Sequence, residues 1–284
     1  MRSSARISKA SRRISIEALV YLVLIAGAAL VLLPLYWMVN DSLKSNAHVF
    51  DFPPAWLPHP AHWTNYPTTL TYLPFGTFLK NTLVIEVFVI TGTTISSAMA
   101  AYSFARLRWP GRDVIFILLL SVLMLPAFAT LVPTFILWQH LGAIDTFVPL
   151  IVPNWFGNAF FIFLLRQFFH GIPRELEDAA RIDGAGFARV FITIILPLSK
   201  PALAVVIIFT FMGVWNDFLG PLIFLNSERN YTLALGLNLF LADYGGRWEL
   251  LMAASTMLVL PMVVVFVVFQ RSFVEGIALT GLKG

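Results

Sequence analysis

The chain has 284 residues, of which 58% are hydrophobic and 12% charged, and a formal net charge of +4. A soluble domain carries about 25% charged residues, so water is not the solvent for most of this chain, and the modest positive charge is read as basic loops at a membrane face rather than as a nucleic-acid surface. Cysteine is absent, which excludes disulfides, Cys-based metal sites and thiol catalysis.

The first 17 residues carry Arg2, Arg6, Lys9, Arg12 and Arg13, with no acid before Glu17. An apolar run from Ala18 to Val39 follows. It exceeds the roughly 7–15 residues of a signal-peptide core and leads into no cleavage site, so a retained first transmembrane helix is expected. Residues 1–17 then form a basic cytoplasmic segment ahead of a membrane domain over 18–284. Asp41 to Lys80 is rich in Pro, His, Trp and Asn, as an external loop with short interfacial elements should be. His59 and His62 lie three apart there without Cys or an acidic cluster, and no metal is assigned to them.

Five further apolar runs are expected to span: Asn81 to Ser103, Val114 to Trp138, Phe147 to Phe168, Pro201 to Pro221 and Leu250 to Phe269. The fold class is therefore all-α, a polytopic membrane protein with six transmembrane helices, each long enough for a hydrocarbon core that takes roughly 20 residues per crossing. With the amino terminus inside, fifteen of the 19 Lys and Arg residues fall on inside segments, leaving Lys44, Lys80, Arg229 and Arg247 outside. By the positive-inside rule both termini are cytoplasmic. Prolines 126, 133, 149, 153, 221 and 261 fall in or at the ends of these runs. They are read either as breaks facing a wet path or as ordinary kinks in a packed bundle.

The loop between the fourth and fifth runs, 171–200, is written like a capped helix. Pro173 suits a first turn, Glu175, Glu177 and Asp178 place acids near the amino end, and Gly184 supplies a stop. Leu176, Ala179 and Ala180 share one face, and Glu177 can pair with Arg181 on its flank. A narrow apolar face of small residues suits docking on another protein. A helix lying on lipid headgroups would usually show bulky apolar residues opposite Lys and Arg.

Asp178, Ala179, Ala180, three residues, Gly184, nine residues, Ile194, Leu196 and Pro197 resemble the EAA loop of ATP-binding-cassette importer permeases, with Asp178 in place of the family's glutamate and Glu177 beside it. The segments Phe78 to Asp113 and Trp215 to Phe224 and the carboxyl-terminal EGIALTGLKG are similar to carbohydrate-importer permeases of the six-helix, maltose-importer type. The resemblance implies a type I importer permease architecture. It also implies a coupling helix that docks on a cytoplasmic ATPase through Glu177, Asp178, Ala179, Ala180, Asp183 and Gly184. The partners it implies are a second permease subunit, a dimer of ATP-binding subunits, an extracellular or periplasmic sugar-binding protein, and membrane lipid. The chain has no GxxxxGK[ST] phosphate loop, so it is expected to bind no cofactor itself and to be no enzyme, ATP and Mg being used by the partner ATPase.

Candidates for the sugar path are Asn154, Asn158, Trp215, Asn216 and Asp217. Asn154 and Asn158, four apart, are expected on one face of the fourth helix and, as amides costly in lipid, turned into the bundle. Trp215 offers a flat face to a pyranose ring, and Asn216 and Asp217 offer hydroxyl partners. Interhelical hydrogen bonds and an interfacial tryptophan would account for the same residues. The rival function is an ion-coupled secondary transporter, whose candidate carboxylates, Glu86 and Asp217, are both expected near helix ends on the external side.

Overall fold

The computed structural model describes the backbone of residues 2–242 and 246–281, and the side chains of 16–126, 128–240 and 246–270. The basic side chains of the first 13 positions, those of Arg271 and Lys283, and the EGIALTGLKG side chains lie outside the described residues. Among the described residues there are helices and turns and no strand.

The helices, in chain order, are α1 (Arg2–Ser42), α2 (Asn65–Tyr72), α3 (Phe75–Arg106), α4 (Arg112–Ser121), α5 (Ala127–His140), α6 (Val148–Ile151), α7 (Ala159–His170), α8 (Glu175–Ile182), α9 (Phe187–Val190), α10 (Leu196–Leu198), α11 (Lys200–Trp215), α12 (Leu219–Phe224), α13 (Leu233–Ala242) and α14 (Trp248–Gly281). Among the described residues four stretches are long and apolar enough to cross a membrane: Ile16–Ser42, Phe75–Arg106, Val148–His170 and Trp248–Gln270. Two bent pairs, Arg112–Met124 with Phe128–His140 at 102° and Phe187–Leu198 with Lys200–Trp215 at 78°, bring the number to six if each pair is one span.

The first bend, and a helix end at Trp215, correct two of the expected continuous runs. Val114 to Trp138 is interrupted at Leu125 and Pro126, both extended, because Pro has no N–H for the preceding turn and disfavours α geometry in the residue before it. Pro201 to Pro221 ends as a helix at Trp215, and a separate turn, α12, begins at Leu219. The first helix extends the expected Ala18 to Val39 run at both ends.

The chain divides into two compact units, one of residues up to Thr69 with Phe240–Met257, the other of Leu70–Leu239 with the residues from Leu258 onward. In the first, the loop after α1 folds back on the helix end: Asn40 Nδ2 donates to Ala55 O at 2.9 Å, Asn65 Nδ2 to Ser42 O and Lys44 O at 2.9 and 2.8 Å, and Ser42 Oγ meets Tyr66 Oη at 2.8 Å. His62 takes part through its backbone, its N–H donating to Leu43 O at 2.8 Å, and no metal-holding group of side chains occurs among the described residues.

In the second unit α3, α7 and α11 pack together. Ala98, Ala101 and Ala105 form a stripe of small residues along α3, and Phe161, Ile162, Leu165 and Phe169 of α7 fill the core against it with Ala202 and Val206 of α11. Small side chains let helix backbones approach closely where lipid supplies no hydrophobic drive between helices. Gly92 makes room on α3 for the ring of Trp155, which a Cβ there would meet at 2.5 Å.

Candidate functional site

Helix α8 is local in origin. Glu175, Glu177 and Asp178 sit in its first turn, where carboxylates meet the positive end of the helix dipole. Its far end is a full Schellman stop: Gly184 N–H donates to Arg181 O at 3.0 Å and Ala185 N–H to Ala180 O at 2.9 Å, with Gly184 at φ +84°. The expected stop at Gly184 therefore has the geometry that favours glycine. The outward face differs from the expected one. Leu176, Ala179 and Ile182 are exposed, Ile182 at 87%, while Ala180 is turned half inward against the core. Asp178 and Asp183 are exposed on either side.

Glu177 does not share the exposed face of α8. It is 4% exposed, with Oε1 3.0 Å from Nε of Arg106, the last residue of α3. The contact is an ion pair by distance, without an aligned N–H. The same guanidinium donates from Nη2 to Phe169 O and Ile172 O, at the carboxyl end of α7. Arg181, the expected flank partner, is 41% exposed and 3.8 Å from the other carboxylate oxygen, and its guanidinium lies 4.6 Å from the ring centroid of Phe187. Two basic groups thus face Glu177, the nearer one buried.

The second feature is a cavity of about 310 Å³ in the α3–α7–α11 unit. Thr82, Ile85, Val89 and Thr93 line it from α3, and Phe209, Thr210, Gly213 and Val214 from α11; Leu150, Asn154, Asn158, Phe161 and Asp217 close it. Asn154 and Asn158 both reach it, but not from one helix face. Between them the fourth span breaks: Val152–Phe156 is a 3₁₀ segment, Gly157 adopts φ +88°, and Asn158 caps α7, its Oδ1 accepting from Phe160 N at 3.0 Å and Phe161 N at 3.3 Å. Asn154 Nδ2 donates back to Leu150 O at 2.8 Å.

Asp217 lines the same cavity just beyond α11, its Oδ1 accepting from Gly220 N at 3.0 Å. Trp215 and Asn216 do not line it. Trp215 is 2% exposed, donates from Nε1 to Leu258 O at 2.9 Å and stacks on Phe211, while Asn216 is exposed and donates to Met212 O at 2.8 Å. Sequence reasoning missed Thr93 and Thr210, whose buried hydroxyls in the cavity wall have no hydrogen-bond partner among the described residues. A threonine in an apolar helix looks alike whether or not its hydroxyl is satisfied. Glu86 also differs from expectation: α3 starts at Phe75, so this buried carboxylate sits about three turns inside the helix.

Residues 92–278 match the family described as binding-protein-dependent transport system inner membrane component. The chain belongs to this family. As a member of it, the chain is similar to the arabinooligosaccharides transport system permease protein AraQ of Bacillus subtilis, 36% identical over 204 residues and 72% of each chain. It is also similar to the diacetylchitobiose uptake system permease protein NgcG of Streptomyces coelicolor, 32% identical over 92% of this chain and 87% of that one. A third relative is the sn-glycerol-3-phosphate transport system permease protein UgpE of Yersinia pestis, 33% identical over 93% and 97%. Among solved structures it resembles a bacterial ABC transporter involved in the import of the acidic polysaccharide alginate, with a TM-score of 0.80, 25% identity, and 92% and 97% of the two chains covered. The permease family accounts for the apolar helices, and it implies in general a partner permease, an ATPase and a substrate-binding protein.

Proposed function

We propose that this chain is the permease subunit of an ABC importer for a neutral di- or oligosaccharide, with α8 docking on a cytoplasmic ATPase. The observation that carries the reading is α8 itself: an eight-residue helix with a Schellman stop that exposes Leu176, Ala179 and Ile182 among the exposed charged residues Asp178, Arg181 and Asp183. Exposed apolar residues between fixed charges suit a cleft in a partner protein, the charges setting orientation and the apolar groups losing water on contact. Both termini and α8 are then cytoplasmic, and a second permease subunit completes the path. A binding protein outside delivers the sugar, and ATP and Mg are used by the ATPase subunits.

A neutral sugar is favoured over a sugar acid or a phosphate ester by the cavity lining. It presents two amides, threonine hydroxyls and the carboxylate of Asp217, and no Lys or Arg among the described residues. Amides and hydroxyls pair with sugar hydroxyls in either direction, whereas an anion would meet Asp217 without a compensating cation. The relatives are named for neutral sugars, arabinooligosaccharides and diacetylchitobiose, and for anions, glycerol 3-phosphate and alginate, so the cavity lining alone carries the preference. The test is reconstitution of the complex in proteoliposomes with its binding protein, screening neutral oligosaccharides, uronates and glycerol phosphate for stimulation of ATP hydrolysis and for uptake. Stimulation by anions alone would overturn the substrate class.

A further inference from the structure

Arg106 joins three elements through one side chain. It ends α3, its Nη2 donates to the carbonyls of Phe169 and Ile172 at the end of α7, and its Nε contacts the buried carboxylate of Glu177 in α8. The Arg106 and Glu177 side chains are 2% and 5% exposed, so little water competes for the contact. The helices it joins to α8 are those that wall the cavity: Thr82, Ile85, Val89 and Thr93 lie on α3, and α7 begins at the Asn158 cap.

We propose that the Arg106–Glu177 pair is the linkage that carries displacement of α8 to α3 and α7, making both positioning residues for coupled transport. This rests on the docking of α8 on the ATPase proposed above. Six of the eight α8 residues, Glu175, Leu176, Asp178, Ala179, Arg181 and Ile182, are exposed, whereas Glu177 faces inward into an arginine already held by two carbonyls. A rigid, dehydrated ion pair at the root of a short helix moves with it. Packing through Ala180 alone would let the helix slide, because a methyl group fixes no direction. A buried pair is weak evidence for stability, since apolar residues of similar volume often serve as well. That property separates a linkage from a prop.

The experiment uses the complete complex in proteoliposomes and reads the ratio of sugar accumulated to ATP hydrolysed. The unaltered complex should show ATP-driven uptake; its absence overturns the proposed function and the linkage together. Glu177→Gln should lower the ratio at least fivefold in complexes that retain the ATPase. If that variant does not assemble, the ratio is read on Glu177→Asp, which keeps the charge but shortens its reach, and a fall of at least twofold is expected. The double substitution Arg106→Met with Glu177→Leu should recover the amount of complex, yet keep the ratio low. Uptake and hydrolysis falling in parallel with complex amount, at a constant ratio, or a normal ratio in the double variant, would reduce the pair to a structural prop and overturn the proposal.

Discussion

Asp145 holds Ser227 through both of its carboxylate oxygens. Oδ1 accepts from the Ser227 N–H at 2.8 Å and Oδ2 accepts from the Ser227 hydroxyl, while Oδ1 also takes the Asn226 N–H at 2.9 Å. Asn81 grips the same loop from α3, its Nδ2 donating to Arg229 O at 2.8 Å and Tyr231 O at 2.9 Å. The donors from Ser227, foremost its hydroxyl, hold the Asp145 carboxyl far below the ordinary carboxylate range, with burial opposing weakly.

The sign of the pH dependence follows. A carboxylate with a depressed folded-state pKa contributes stability that is complete above its unfolded value, about 3.9, and is lost as pH falls through the folded value. Amide exchange at Asn226 and Ser227, corrected for its intrinsic pH dependence, should therefore stay slow from about pH 8 down to about pH 5 and accelerate only in stronger acid. Asp145→Asn should raise that exchange roughly tenfold at neutral pH. Asn tolerates the φ of +62° at this position, so the variant tests the acceptor rather than the backbone. Unaltered exchange in Asp145→Asn would show that the loop is held without the carboxylate.

At Gly184 a Cβ would meet nothing within 4 Å, so the φ of +84° is the whole objection to a side chain. Strain of about 1 kcal/mol is expected for Ala, less for Asn and more for β-branched Val. ATPase retained on the purified complex, and uptake, should fall in the order Gly, Asn, Ala, Val. A flat series would mean that the end of α8 bears no part of the docking.

The hydroxyls of Thr93 and Thr210 are buried in the cavity wall and bond to nothing among the described residues. Thr→Val keeps the shape, and removing an unsatisfied hydroxyl costs little stability. Thr93→Val and Thr210→Val should leave complex assembly intact while raising the KM for uptake several-fold. Asn158→Ala should lower assembly as well, by about 1 kcal/mol, because it removes the α7 cap. Unchanged uptake kinetics in both Val variants would remove the cavity from the sugar path.

Orientation can be read by thiol labelling, since the chain has no cysteine of its own. Phe52 is 95% exposed and Ile182 87% exposed. A membrane-impermeant thiol reagent should label Phe52→Cys in sealed right-side-out cells and reach Ile182→Cys only after permeabilisation. The opposite pattern would invert the topology.

What was legible in the amino-acid sequence was local. Helix α8 could be read because its start, its acids and its stop at Gly184 act within one or two turns, and the apolar runs could be read because lipid demands unbroken hydrophobic length. The direction each residue faces was decided elsewhere. Glu177 and Asp178 are adjacent acids, and only the arrival of Arg106 from α3 turns one inward as the other stays exposed. Asn154 and Asn158 look like helix neighbours by spacing, yet Gly157 at φ +88° breaks the helix between them, and both still reach the cavity because α3 and α11 close it from other parts of the chain. Trp215 and Asp217 are two residues apart, and the packing of Trp215 against Leu258 takes it out of a wall that Asp217 joins. Spacing along a chain fixes a side chain's direction only while the helix is continuous, and its neighbours are set by packing between segments distant in sequence.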